Sequence, residues 1–328
     1  MTRVALIARE EASFIRTDRA LLADRFSLRF VRWRGKRSIP RLAWAIARSD
    51  VAFSWFAEDH AYGACRLARL LRRKSIVFVG GGDAAKRPDL GYGIYLDPTR
   101  AERSRYAVMH SDLVLVVDEY LRKELRQNGK IDRPDILTVP LGIDTVRYRS
   151  GDGARTTVLT VGMVDEVNVR RKGLDVFVEV ARRMPDLPFV LIGGRQNAAT
   201  ERLRLLAPTN LMIVGRVSDD DLLRHFQRAR VYAQLSRYEA FGSALAEAMA
   251  AGCVPVGTRV GGIPTVLGDT GPYAAEGNPE SAAAAIRRAY EEGDGRAARA
   301  RIVREFSREK RANALIACIE GLVDANGQ

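Results

Sequence analysis

Ser236-Arg-Tyr-Glu239-Ala-Phe-Gly-Ser-Ala-Leu-Ala-Glu247-Ala-Met-Ala-Ala-Gly252-Cys-Val-Pro-Val256 is the stretch on which the reading of this sequence turns. An apolar strand candidate over residues 231–234 precedes it, a second lies at 254–257, and its middle reads as a helix over 243–251. Glu239 falls in the loop before the helix, and Glu247 falls two turns inside a helix that starts near Gly242. A helix N-terminus presents unbonded backbone N–H groups and partial positive charge, which suits a diphosphate. Gly242 and Ser243 would let phosphate come close. A carboxylate just ahead of that terminus can accept hydrogen bonds from sugar hydroxyls, and the second can hold ribose hydroxyls. The plainer readings are compensation of the helix dipole for Glu239 and a solvent-facing position for Glu247.

The same alternation of short apolar runs and helical patterns extends outward, the signature of parallel α/β layering. Strand candidates are 3–8, 27–33, 51–55, 75–79, 112–117 and 136–139, then 157–161, 189–192, 211–214, 231–234 and 254–257. Helices are expected over 61–72, where Cys65, Leu67, Ala68 and Leu71 keep a 3.6-residue period, and over 173–183 and 219–229. Val139-Pro-Leu-Gly-Ile-Asp144 and the Gly/Asp-rich residues after Tyr148 break regular structure and read as an interdomain linker. The expected organisation is an N-terminal domain over 1–148, a second domain over 149–307, and a terminal segment over 308–328. In that segment a helix to Ala325 carries an apolar face (Leu315, Cys318, Ile319, Leu322) that would pack back on the N-terminal domain.

At 328 residues the chain can bury two cores. No apolar run approaches the roughly 20 residues of a membrane-spanning helix, and the apolar part of residues 1–9 is too short for a signal peptide. Cys65, Cys253 and Cys318 are few, odd in number and far apart, which suits a reducing cytosol and no disulfide framework. The formal charge of +13 is uneven: residues 1–150 hold 29 Lys+Arg against 18 Asp+Glu, and the remainder 24 against 22. Such asymmetry points to an anionic partner for the first half, or to a merely solvated basic face.

Nicotinamide chemistry is excluded by the first turn. A dinucleotide fingerprint needs Gly-x-Gly-x-x-Gly between the first strand and helix, whereas Ala8-Arg9-Glu10-Glu11-Ala12 has no glycine. The triplet Gly80-Gly81-Gly82 lacks the spacing, and there is no Walker A sequence.

Residues 236–256 resemble the E-x7-E signature of retaining glycosyltransferases of family 4. Gly252-Cys-Val-Pro-Val256 with Gly261-Gly-Ile-Pro264 is similar to that family's G-x-P-V … G-G-x-x-E segment. Val161-Gly-Met-Val164 with Arg171-Lys-Gly173 resembles its V-G-R-L … K-G segment, and residues 139–144 its I-P-N-G-I-D hinge. Val214-Gly-Arg-Val217 resembles the loop that meets the nucleobase. The resemblance covers most of residues 112–270. It implies an α/β chain of the GT-B fold, two facing Rossmann-like domains with parallel sheets and an interdomain cleft. It implies transfer of a sugar from a nucleotide-diphosphate sugar, with retention and without a metal, to a glycan or lipid-linked acceptor.

Carried over residue by residue, Glu239 would contact the donor sugar, Lys172 would neutralise the leaving diphosphate, and Glu247 would hold the ribose. Gly242, Ser243 and Ala244 would offer backbone N–H groups beside Phe241 and Gly162, and Val217 would lie against the base. No cofactor is implied beyond the nucleotide sugar as co-substrate, with UDP or GDP the expected nucleotide. The chain departs from the pattern at Met163, Leu141 and Thr265. Arg170 or Arg171 would supply the cation that Met163 does not. Neither the Gly-rich first loop nor the histidine after the fourth strand is present; there the chain reads Val79-Gly-Gly-Gly-Asp83. Asp83 is therefore a candidate acceptor-side residue, with Asp59 and His60 after the third strand. A turn-holding Asp83 and a structural His60 are the plainer readings. A catalytically silent nucleotide-sugar-binding protein and a GT-B phosphorylase or epimerase stand as the alternatives.

The basic half has one further feature. Arg29, Arg32, Arg34, Lys36, Arg37 and Arg41 precede or enter Ile39-Pro-Arg-Leu-Ala-Trp44-Ala-Ile-Ala-Arg48, which resembles a helix that settles on anionic lipid. A peripheral position on the inner face of the membrane is the expectation, with a Trp44 buried in the core as the alternative. No basic-aromatic nucleic-acid motif is present.

Overall fold

The computed structural model describes residues 1–194 and 197–324, so the expected end of the last helix at Ala325 lies outside the described residues. The chain forms two compact units, one of Met1–Gly142 with the segment from Glu309 onward, the other of Ile143–Arg308.

In the first unit the strands are β1 (Arg3–Ala8), β2 (Ser27–Arg32), β3 (Val51–Trp55), β4 (Lys74–Val79), β5 (Leu113–Val116) and β6 (Ile136–Thr138). All pair in parallel, in the order β2-β1-β3-β4-β5-β6. Helices α1 (Ser13–Ala23), α2 (Ile39–Ala47), α3 (Asp59–Leu70), α4 (Pro98–His110) and α5 (Glu119–Gly129) connect them. The central strands β3 and β4 are apolar almost throughout because helices cover both faces of a parallel sheet.

The unit closes on a buried ion pair. Arg311 donates from Nε and Nη2 to Asp18 of α1, at 3.0 and 2.7 Å, and the two side chains are 1 % and 2 % exposed. Trp55 Nε1 donates to the same carboxylate at 2.9 Å, and Arg311 Nη1 donates to the carbonyls of Val139 and Pro140. Every oxygen and nitrogen in this knot is matched, the condition under which buried charge is tolerated.

The second unit holds β7 (Thr157–Val161), α6 (Glu166–Arg171), α7 (Leu174–Arg183), β8 (Phe189–Ile192), α8 (Ala198–Leu206), β9 (Leu211–Val214), α9 (Asp219–Arg228), β10 (Ala229–Gln234), α10 (Ser243–Ala250) and β11 (Val254–Thr258). After these come α11 (Ile263–Leu267), β12 (Tyr273–Ala274), α12 (Pro279–Glu292), α13 (Gly295–Glu305) and the start of α14 (Arg308–Asp324). Its six strands are parallel in the order β12-β11-β10-β7-β8-β9. Counted from β7 this is 3-2-1-4-5-6, so strand order reverses between β7 and β10. In such sheets ligands bind beyond the carboxyl ends of the strands at that reversal.

Candidate active site

Glu239 sits beyond the carboxyl end of β10, beside the end of β7, and is 8 % exposed. Its Oε2 accepts from Lys172 Nζ at 2.8 Å and from Gln234 Nε2 at 3.1 Å. Gln234, the last residue of β10, also donates to Ser236 Oγ and accepts from the Tyr232 hydroxyl at 3.0 Å. The carboxylate is thus held in a chain running from buried Tyr232 and Gln234 through Glu239 to half-buried Lys172. Burial pushes the Glu239 carboxyl up, but the charges of Lys172 and Arg171 outweigh it, and the group lies below its usual range.

Glycines bring the backbone together here. Gly173 follows Lys172 in the left-handed region, and a Cβ on it would stand 2.0 Å from the Leu235 carbonyl oxygen. The loop after β11 presses as closely on Glu239: a Cβ on Gly261, at φ +53°, would fall 1.8 Å from the Glu239 carbonyl oxygen. Gly262 N–H donates to that same oxygen at 3.1 Å. Arg237 forks onto Asp175 of α7 with two contacts of 2.9 Å and donates to the Arg170 carbonyl, tying the Glu239 loop to α6 and α7.

Gly242 is the N-cap of α10 at φ +92°, and no side chain caps that helix. The N–H groups of its first turn, those of Ser243 and Ala244 among them, receive no capping oxygen. They lie one short loop from Glu239, with Phe241 packed against Phe306 at 5.6 Å between ring centroids. Gly162 follows β7 and lies against the Lys172 stem, where a Cβ would come within 3.3 Å of Cδ. Arg171 is engaged, bonding Asn168 Oδ1 through Nε and Nη2, whereas Arg170 is exposed. Met163 is 52 % exposed and brings no cation.

Glu247 faces Tyr148 on α10's second turn. Burial pushes its carboxyl up to about 8, and Asp219 adds to this, while the Tyr148 hydroxyl and Arg147 work against it. Val217 lies half-buried in the loop between β9 and the Ser218 cap of α9.

Two of the acceptor-side candidates of the first unit follow the third strand, as read. Asp59 and His60 form the first turn of α3. His60 has no exposed surface, and its Nε2 lies 2.6 Å from the Trp55 carbonyl. Burial lowers its pKa, so the ring stays neutral, and its inaccessibility removes the ground for a contact with an acceptor hydroxyl. Asp83 is likewise buried: its carboxylate accepts from the N–H groups of Ala57, Gly80 and Gly81 and so shapes the glycine loop. Burial raises it to about 6. Asp59 is accessible and pairs with Arg103 at 2.8 Å.

Solved glycosyltransferase structures share this arrangement of two parallel α/β units. The Anabaena protein HepE, solved in complex with UDP and glucose, aligns over 98 % of this chain and all of that one, with a TM-score of 0.82 and 12 % identity. A glycosyltransferase from Rickettsia africae ESF-5 aligns over 98 % of both, with a TM-score of 0.79 and 14 % identity. The fold is GT-B.

Within this GT-B chain, residues 152–308 match the family model of glycosyl transferases group 1. That is nearly the whole second unit. The chain is 29 % identical over 193 residues to a subunit of the phosphatidylinositol N-acetylglucosaminyltransferase of Arabidopsis thaliana. It is 28 % identical over 196 residues to D-inositol 3-phosphate glycosyltransferase of Mycobacterium sp. strain KMS. These matches cover 56 % and 52 % of this chain but 43 % of each relative, so it spans less than half the length of either. Among the described residues no group of three or more His, Cys, Asp or Glu side chains lies together as a metal-ligand set, and no helix is long and apolar enough to cross a membrane.

Gln234, Ser236, Tyr148 and the Arg237–Asp175 fork were not singled out from the sequence. A glutamine closing an otherwise apolar strand, a few residues ahead of the loop carboxylate, is the one signal that pointed to them.

Proposed function

We propose that this GT-B chain is a retaining, family 4-type glycosyltransferase that moves a sugar from a nucleotide-diphosphate sugar to an acceptor hydroxyl. One observation carries the reading: the pair of buried Glu239 and half-buried Lys172 stands at the β7/β10 reversal, one loop from the uncapped N-terminus of α10. A fixed carboxylate beside fixed donors is preorganised for a sugar whose diphosphate departs. Glu239 holds the sugar hydroxyls. Lys172, the first-turn N–H groups of α10 and exposed Arg170 take up the charge that grows on the diphosphate as the anomeric C–O bond breaks. The acceptor oxygen bonds the anomeric carbon from the same face, and its proton passes to a departing phosphate oxygen. Glu247 and Val217 receive ribose and base, UDP or GDP being the nucleotide; the UDP complexes of HepE favour the first. No metal is required, so a chelator leaves turnover unchanged.

The first unit takes a glycan or lipid-linked acceptor. Trp44 is 52 % exposed and flanked by Arg29 and Arg48, whose guanidinium carbons lie 5.8 and 4.9 Å from its ring centre. That set favours docking on an anionic membrane surface. Vesicles of anionic lipid should sediment the protein at low salt and release it at high salt; no sedimentation at low salt removes this part of the reading.

A thermal-shift panel of UDP, GDP, ADP and their sugars identifies the donor, since a ligand of the folded state raises the melting temperature. Labelled donor then reports transfer. Glu239→Ala and Lys172→Ala should abolish transfer in folded protein, and wild-type turnover in both would overturn the assignment. Binding without hydrolysis or transfer would instead identify a silent binding protein.

A further inference from the structure

The first unit has its own strand-order reversal, between β1 and β3, and a cavity of about 770 Å³ runs from the carboxyl ends of β1, β2 and β3 beside it along α3 to that helix's last residues, Arg69 and Leu70. Arg9 follows β1, Trp33 and Lys36 follow β2, and Asp59 opens α3 after β3; all four line it. Its size is that of a small-molecule site, about 300–1,000 Å³. Only Asp59 of the residues considered for the acceptor side touches it.

Two chemistries meet in this cavity. Its body is apolar: Trp33 and Leu42 are buried, and Ile39 and Leu70 complete the wall although they are 46 % and 77 % exposed. A single exposed leucine is ordinary, but apolar side chains continuous with a concave lining mark a binding surface. The remaining wall is aromatic, with Tyr62 and Tyr106 edge to face at 5.0 Å and Arg66 over the Tyr62 ring. Against this stand five cations, Arg9, Lys36, Arg66, Arg69 and Arg103, and one carboxylate, Asp59, already neutralised by Arg103. Lys36 and Arg69 have no ion-pair partner among the described residues. Such unpaired cations beside hydrocarbon suit a ligand with an anionic head and an apolar tail.

We propose that this cavity binds one molecule of a phosphate-headed amphiphile, the chain lying on its apolar wall of Trp33, Ile39, Leu42 and Leu70 and the phosphate drawn by its unpaired cations, Lys36 and Arg69. The site belongs to the first unit alone and does not require the transfer reading. Gly63 of α3 lines the cavity, and a Cβ there meets only Leu42 Cδ2 at 3.8 Å, an ordinary contact, so a side chain can be started at this position without a clash at its first atom.

The test is calorimetric titration of the full chain with dodecyl phosphate below its micellar concentration. Dodecyl maltoside serves as the neutral amphiphile and inorganic phosphate as the headgroup alone. The expected result is one-to-one saturation by dodecyl phosphate, at least about tenfold tighter than by dodecyl maltoside, a gap of about 1.4 kcal/mol. Gly63→Phe should weaken it by about tenfold or more. Lys36→Ala with Arg69→Ala, both at exposed positions, should erase the preference for phosphate over maltoside. Equal binding of the two amphiphiles by wild type, stoichiometry well above one, saturation by inorganic phosphate alone, or wild-type affinity in both variants would each overturn the proposal. Nucleotide binding, measured in the same samples, reports separately on the second unit.

Discussion

Glu239 and Glu247 are eight residues apart and chemically alike, yet their surroundings push them in opposite directions. Burial acts on both; at Glu239 the charges of Lys172 and Arg171 reverse it, and at Glu247 the neighbouring carboxylate of Asp219 reinforces it. A carboxyl whose folded pKa is depressed adds stability above its unfolded value of about 4.3, and that stability is lost as pH falls through the folded pKa. A carboxyl raised to about 8 does the reverse: the folded state holds its proton where the unfolded chain has lost it, so stability declines between about pH 4.3 and 8. Glu247→Gln should therefore gain stability relative to wild type as pH rises from 5 to 9, read by urea unfolding at each pH; a constant difference would contradict the assignment. Glu239→Gln keeps the shape and loses the charge. It should lower turnover by about 10²–10³, the usual worth of one preorganised electrostatic contact. The positions of Glu239 and Glu247, one in a loop and one inside a helix, were legible because loop, helix start and spacing are written locally, whereas Lys172 entered only through the family resemblance. Tyr232 and Gln234 were not, since a polar residue in a strand shows neither its face nor its partner. For His60 the sequence left a functional and a structural reading open, and only the packing of α3 shows the residue sealed, as the structural one expects.

At the scale of elements, the strand interiors were readable to within one or two residues at their ends, because strands buried on both faces are nearly unbroken apolar runs. The two-residue β12 has no such run and left no trace. The glycines before α7 and α11 were visible as letters, while their purpose lies in backbone approach. Gly261→Ala would meet both a left-handed conformation, about 1–2 kcal/mol, and a Cβ against the Glu239 carbonyl, about 1–3 kcal/mol more. The expected loss is about 2–5 kcal/mol in denaturant unfolding. Donor binding should weaken with it, because the displaced atom belongs to Glu239's own backbone. A variant as stable as wild type would mean that the loop yields freely.

For the whole molecule, the first unit is discontinuous in sequence and the second is not. The apolar stripe of α14 was legible, whereas Arg311 was one of many arginines and Asp18 an ordinary helix residue. Their pairing joins positions 293 residues apart, and nothing local records it. Arg311→Met strips the cation from a carboxylate 1 % exposed, and removing one partner of a buried pair costs about 3–5 kcal/mol. Chemical denaturation should show that loss in a transition of the first unit, with the second unit's transition unmoved. Asp18→Asn added to Arg311→Met should restore part of it; no recovery would mean that the pair's charge was not the issue.

The discontinuity also sets an order of events during synthesis. Residues 1–142 leave the ribosome first, but Asp18 has no counter-charge until Arg311 follows about 170 residues later, on the order of ten to thirty seconds at ~5–20 residues per second. The contiguous second unit is complete before then. The second unit therefore completes its own sequence just before the first receives its last ion-pair partner, a reversal of the usual N-terminal-first order.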